Sequence, residues 1–203
     1  MKLYQKAPTP SSRRVTIFSK LIGVELDTVE VEIREGENLR PPFSDMSVNG
    51  TVPLLVLDSG ECIAESIAIC RYLDLAFPNQ QNLFGTSAVE QATIEMWQRV
   101  VELKGLYVAF QAFRNISKVY EDRENCIEEW GHESKQRVTD FLPELDARLA
   151  HSPYLAGDAL SVADITAFLM LNVVQGGLKI ELGNDLPNLK AYFDKLATIP
   201  EFS

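Results

Sequence analysis

The stretch NGTVPLLVLDSGECIAESIAICRYL, residues 49–73, changes period part-way along. LLVL at 54–57 is a short continuous apolar run of the kind a buried strand shows. DSGE at 58–61 turns the chain, and Cys62-Ile63 can pair back as a hairpin. Ile69, Leu73, Ala76 and Phe77 then fall at i, i+4, i+7 and i+8, which is one face of a helix. The stretch therefore predicts β-β-α, with Val52-Pro53 just before the first strand and Glu65-Ser66 at the helix start.

Upstream the pattern is β-α-β. Leu3-Tyr4 predicts a short strand. Val15, Phe18 and Ile22 mark a helix face beginning near Ser11, and Gly23 stops that helix. Val29, Val31 and Ile33 alternate with charged residues and predict a second strand. REGENLRPPF (34–43) reads as loop, since Pro41-Pro42 prevents a regular helix there.

Downstream, FPNQQNLFGTS (77–87) is rich in Pro, Asn, Gln and Gly and reads as a linker. No strand is predicted beyond it. Helical stretches are expected over about 88–120, bent at Gly105, over about 124–149, from Ser161, and from near Pro187. Ser161 with Asp164 forms a capping-box pattern, and Leu160 with Ile165 a hydrophobic staple. ITAFLMLNVV (165–174) is apolar nearly all round and should be the buried centre of a helical bundle. The domains are thus 1–78, with an α/β fold, and 87–203, all-helical, joined by 79–86.

The chain has 203 residues, 46% apolar and 24% charged, with a net charge of −10. An acidic total argues against nucleic acid and against anionic membrane surfaces as partners. No apolar run approaches the roughly 18 residues a membrane span needs. The start MKLY lacks a basic-then-apolar leader pattern, so a cytoplasmic location is expected. Cys62, Cys70 and Cys126 lack metal-type or CxxC spacing and are expected to be buried reduced thiols. With only His132 and His151 available, a histidine metal site or triad is not expected.

Three places hold residue types suited to chemistry. The first is APTPSSRRVTIF (7–18), where Thr9, Ser11 and Ser12 cluster at a helix start; each of them could equally be a cap. The second is Val52-Pro53. A cis bond there would turn the Val52 N–H and C=O towards a ligand, whereas a trans proline would simply open a strand. The third is Glu65-Ser66. A carboxylate, a hydroxyl and free helix N–H groups converge there, and together they suit the ammonium and carboxylate of an α-amino acid. Ordinary capping would give the same two residue types. On the long helix, Tyr107, Phe110, Gln111 and Arg114 share a face at i, i+3, i+4 and i+7, which suits either core packing or a cleft with a polar end.

The order of these features, with YLAGDALSVADI (154–165) in the helical half, resembles a cytosolic glutathione transferase over essentially the whole chain. The resemblance implies a thioredoxin-like N-terminal domain (βαβ-ββα) that binds glutathione and an all-α C-terminal bundle. Glutathione would be a co-substrate rather than a permanently bound cofactor, and no metal is implied. The second substrate would be a small electrophile, met by Tyr107, Phe110, Gln111 and Arg114. A homodimer and a role in detoxification are implied as well.

Carried over by position, Pro53 would be cis and Val52 would pair its backbone with the cysteinyl part of glutathione. Glu65 and Ser66 would hold the γ-glutamyl amine and carboxylate. Related chains often place His at Asn38 and His or Lys at Gly50 to meet the glycyl carboxylate; this sequence has neither, and Arg40 is the candidate substitute. TPSS at 9–12 resembles a CPxC motif with both thiols replaced by hydroxyls. Thr9 falls where theta- and delta-like relatives keep a catalytic serine. Ser11 falls where a nu-like group keeps an asparagine. Ser11 and Thr9 rank equally, and Ser12 third. A reductase acting through its own thiol is disfavoured, because a nucleophilic cysteine at the helix start is missing. A glutathione-dependent disulfide or peroxide reductase, or a non-catalytic glutathione-binding protein, remain the alternatives.

Overall fold

The computed structural model describes residues Met1–Ser203. The chain divides into two compact units, Met1–Gln81 and Asn82–Ser203. The first contains β1 (Lys2–Gln5), α1 (Pro10–Leu21), β2 (Asp27–Glu30), α2 (Phe43–Met46), β3 (Leu54–Val56), β4 (Cys62–Ala64) and α3 (Ser66–Ala76). The sheet order is β2-β1-β3-β4, with β1 parallel to β2 and β3 antiparallel to both its neighbours. This is the expected thioredoxin-like order.

Side chains alternate between the two faces of the sheet. Leu3 and Leu55 are register partners, and both are fully buried. The adjacent pair, Tyr4 and Leu54, joins Val31, Phe43, Met46, Val52 and Val56 in a separate apolar cluster. Helices α1 and α3 pack on each other, and each buries apolar side chains, Val15 and Phe18 on the first and Ile69 and Leu73 on the second.

The strand expected over Val29–Ile33 ends early, at Glu30. Its partner β1 stops at Gln5, so only one further pairing bond forms, from Val31 N–H to Gln5 O. The Glu37 carboxylate then accepts the Glu32 N–H at 2.6 Å, and 3₁₀ turns follow at Ile33–Glu35 and Glu37–Leu39. An alternating pattern cannot show that its partner strand has run out.

The second unit is helical: α4 (Ala88–Val100), α5 (Tyr107–Ser117), α6 (Glu128–Leu149), α7 (Val162–Asn172) and α8 (Pro187–Ala197). The helical stretch expected over about 88–120 is helical without a break from Ala88 to Ser117, and the irregularity expected at Gly105 takes the form of a π-helical segment, Val101–Leu106, between α4 and α5. Gly105 sits in that segment against Phe141 and Met170, and a Cβ there would collide with Met170 Sδ. Helix α7 is buried on every side from Val162 to Leu171, as its all-round apolar sequence requires. Its capping box is formed. Asp164 accepts hydrogen bonds from Ser161 N–H and Ser161 Oγ, both at 2.8 Å. It also accepts from Leu155 N–H at 2.9 Å and from the Tyr192 hydroxyl of α8 at 2.7 Å. One carboxylate therefore ties α7, α8 and the preceding loop together.

Helix α4 has a second capping box that the sequence reading did not single out. Ser87 Oγ accepts the Glu90 N–H, and the Glu90 carboxylate accepts from Ser87 N–H, Thr86 N–H and Thr86 Oγ1. The Ser87 N–H leads these in holding the Glu90 carboxyl down to about 2, against an ordinary value of 4.5. Between those values the unfolded chain binds more protons, so stability rises with pH. The cap's contribution is complete above about pH 4.5 and is lost as pH falls towards 2. Glu90→Gln is expected to flatten this part of the acid profile. Melting curves of both proteins across that window check it, and an unchanged slope would count against the cap.

Candidate active site

The register of the sheet gathers three loops at one end. Tyr4 pairs with Leu54, and Leu54 with Ala64. The residues just beyond these partners are the turn into α1, Val52-Pro53, and Glu65-Ser66, so all three candidate stretches leave the sheet on the same side.

At the α1 start, Thr9 is the N-cap residue and Pro10 the first helical residue. The first helical bond runs from Arg13 N–H to Thr9 O at 2.9 Å. The Ser11 and Ser12 N–H groups precede it and have no helical acceptor. The three hydroxyls are not equivalent. Thr9 Oγ1 donates to Lys6 O at 2.8 Å and shares a 2.9 Å hydrogen bond with Ser12 Oγ. Ser12 is fully buried, and its Oγ accepts the Lys6 N–H at 3.2 Å. Each hydroxyl has a single proton: with Thr9's on Lys6 O, Ser12's serves the bond between them. Ser11 is half-buried, and its hydroxyl has no partner within the protein.

The Val52–Pro53 peptide is cis, and no turn or loop hydrogen bond uses the Val52 N–H or C=O. A second cis bond, Pro41–Pro42, lies in the segment before it. Glu65 is the N-cap of α3, with φ 67 and ψ 113, a conformation rare for a residue with a side chain. Its exposed carboxylate accepts from Asn49 Nδ2 at 2.7 Å. Ser66 is 4% exposed, and its Oγ accepts from Arg14 Nη1 at 2.7 Å, which leaves the Ser66 proton available as a donor.

Asn38 and Arg40 both bond backbone carbonyls. Asn38 Nδ2 donates to Gly50 O at 2.7 Å, and its Oδ1 is buried without a partner. Arg40 donates to Glu35 O at 2.6 Å and to Gly36 O at 3.3 Å, closing the end of the 3₁₀ turns.

In the second unit, Tyr107, Phe110, Gln111 and Arg114 all lie on α5. Tyr107 is 56% exposed, so it is not core. Gln111 Oε1 accepts from Trp130 Nε1 at 3.3 Å. Arg114 pairs with Glu124 at 2.8 Å, its guanidinium 5.1 Å from the centre of the Tyr120 ring.

The expectation of three buried thiols needs correction. Only Cys70 is buried; Cys62 is exposed and Cys126 intermediate. Cys62 lies on β4, whose three residues are exposed or only partly buried. Burial pushes the Cys70 thiol up to about 12, so it is inert at neutral pH.

Two polar residues at this end of the sheet escaped the sequence reading. Arg14 is 2% exposed beneath Ser66, and Asn49 holds Glu65. Arg14 left a signal: an arginine on the buried face of α1, between Ile17 and Phe18 in direction, needs a polar partner inside the fold. Asn49 left none, since an asparagine in a loop is ordinary turn chemistry.

Residues 9–76 match the glutathione S-transferase N-terminal domain and residues 128–200 the C-terminal domain. A glutathione S-transferase of class Gtt2 from Vibrio parahaemolyticus is 49% identical in its crystal structure. The match covers 100% of this chain and 96% of that one, with a TM-score of 0.89. A glutathione S-transferase domain-containing protein from Marinobacter aquaeolei is 30% identical over the full length of both chains, with a TM-score of 0.95. Glutathione S-transferase 2 of Saccharomyces cerevisiae is 28% identical over 95% of this chain and 83% of its own. The chain belongs to the glutathione S-transferase family, and it is a glutathione transferase. No helix is long and apolar enough to cross a membrane.

Proposed function

We propose that glutathione lies across the gathered loops, its sulfur at the α1 start, and that Ser11 stabilises the thiolate for attack on a small electrophile. The observation that carries this is the unpartnered Ser11 hydroxyl beside two free helix N–H groups, with Thr9 and Ser12 already bonded to each other and to Lys6. A thiol of pKa near 8.5 is only a few per cent ionised at pH 7. Lowering it by about two units takes roughly 2.7 kcal/mol. The helix dipole contributes about 0.3–1 kcal/mol, and one hydrogen bond to a charged acceptor about 1.5–3. The hydroxyl is thus required, and Ser11 is the one with a proton to give.

The cysteinyl backbone would pair with Val52. The γ-glutamyl carboxylate would meet the Ser66 hydroxyl and the α3 N–H groups, and its amine the Glu65 carboxylate. Arg40 would approach the glycyl carboxylate with the donors its two carbonyl bonds leave over. The thiolate then forms the new S–C bond while the electrophile's leaving group departs with its electron pair, or while the electrophile's own π-electrons shift away in an addition. The residues of α5 would form the electrophile's pocket. We also propose the family's homodimer for this chain, in which apolar side chains exposed here, such as Val48, Leu75 and Met96, would be covered.

Turnover of a model aryl halide with glutathione tests the reaction, and titration of the bound thiol by its thiolate absorbance tests the site. Disulfide reduction without aryl-halide turnover would replace the transfer reading with a reductase one.

A further inference from the structure

We infer that Asn49 is a positioning residue, one that aims the Glu65 carboxylate at the substrate's ammonium group. The inference rests on the assignment of Glu65 to the γ-glutamyl amine made above. Asn49 is the only side chain hydrogen-bonded to that carboxylate, through Nδ2 at 2.7 Å. Its other end is fixed: Oδ1 accepts from Thr51 Oγ1 at 2.8 Å, Thr51 N–H at 3.2 Å and Ser47 Oγ at 3.2 Å. Ser47 Oγ in turn accepts the Gly50 N–H at 3.1 Å. The amide is therefore locked in orientation, with its oxygen on the loop and its nitrogen on Glu65. The assignment of the two ends follows from their partners, since a carboxylate accepts only and the Thr51 N–H donates only.

The main chain at Glu65 is already set by its positive φ, but the exposed side chain beyond it has no packing to hold it. An unheld glutamate loses rotamer freedom when a ligand fixes it. Asn49 removes part of that loss in advance and uses one carboxylate oxygen, leaving the other for the ammonium. The same five-residue loop leads directly into Val52. The residue that orients the amine-binding carboxylate is thus built into the loop that presents the backbone to the cysteinyl part.

The test uses the full chain with two thiol substrates: glutathione, and its deamino analogue with hydrogen in place of the γ-glutamyl amine. Asn49→Ala is expected to raise KM for glutathione about five-fold with kcat unchanged, as loss of one oriented hydrogen bond implies. KM for the deamino analogue should stay as in the parent protein. Equal rises for both substrates would mean that Asn49 merely shapes the loop, and would overturn the inference. Glu65→Gln, measured alongside, separates the two layers. If it discriminates between the substrates and Asn49→Ala does not, Asn49 alone falls. If Glu65→Gln does not discriminate, the amine assignment falls and the Asn49 inference with it.

Discussion

Ser11→Ala should raise the pKa of the bound glutathione thiol by about one to two units, the worth of one hydrogen bond to a charged acceptor. At neutral pH the thiolate fraction then drops, and kcat/KM should fall by about 10- to 100-fold. Raising the pH should recover much of the loss, because hydroxide ion can supply the thiolate the enzyme no longer favours. Thr9→Val makes the comparison. Its hydroxyl is bonded to Lys6 O and Ser12. Removing it should cost about 1 kcal/mol of stability, in the range of a lost cap, and leave the thiol titration in place. The opposite pairing, an unmoved thiol in Ser11→Ala and a shifted one in Thr9→Val, would transfer the role to Thr9. If neither moves the thiol, both assignments fail, and the helix dipole alone is too weak to replace them.

The second large effect concerns the stability of the helical unit. Asp164→Ala strips acceptors from Leu155 N–H, Ser161 N–H, Ser161 Oγ and the Tyr192 hydroxyl at once. Leu155 and Ser161 are fully buried and Tyr192 is 4% exposed, so water cannot readily take the carboxylate's place. Each orphaned buried donor costs about 1–3 kcal/mol, with some relief from relaxation. A total near 4 kcal/mol is expected, a large share of the roughly 5–15 that holds a domain together. For a chain of this size that lowers the melting temperature by about 10 °C. Tyr192→Phe breaks only one of the four bonds and should cost about 1 kcal/mol. A calorimetric or circular-dichroism melt of the three proteins checks the order. If Asp164→Ala melts no lower than Tyr192→Phe, the carboxylate is not the tie between α7 and α8.

The contrast between these two sites explains what could be read from the sequence. Ser161 and Asp164 obey a local rule at fixed spacing, so their cap was visible before the fold was. The same holds for the apolar run of α7 and for the β-β-α pattern at 54–77, where period alone decides the element. What depended on a partner distant in sequence was not visible. The strand expected to reach Ile33 stops at Glu30 because β1 ends, and β1 lies more than twenty residues earlier. The irregularity at Gly105 was legible, but not its π-helical form over Val101–Leu106, where the glycine packs against Met170 and Phe141 from two other helices. Within the site, residue types and order located the three loops. The proposal of Ser11 over Thr9 and Ser12 rests on which hydroxyl protons are already in use, and that depends on Lys6 and on the exact turn of the chain.

The 2.9 Å contact between the Thr9 and Ser12 oxygens has a consequence of its own. These are the two positions at which a CPxC motif carries its sulfurs. A sulfur pair there can close into a disulfide and reopen, so that the start of the helix reports the redox poise of its surroundings. An oxygen pair holds the same two residues together by a bond that no oxidant makes and no reductant breaks. This helix start therefore holds no bond of its own that an oxidising or a reducing solution would change, and on the proposed assignment the sulfur it answers to is the one carried in by the substrate.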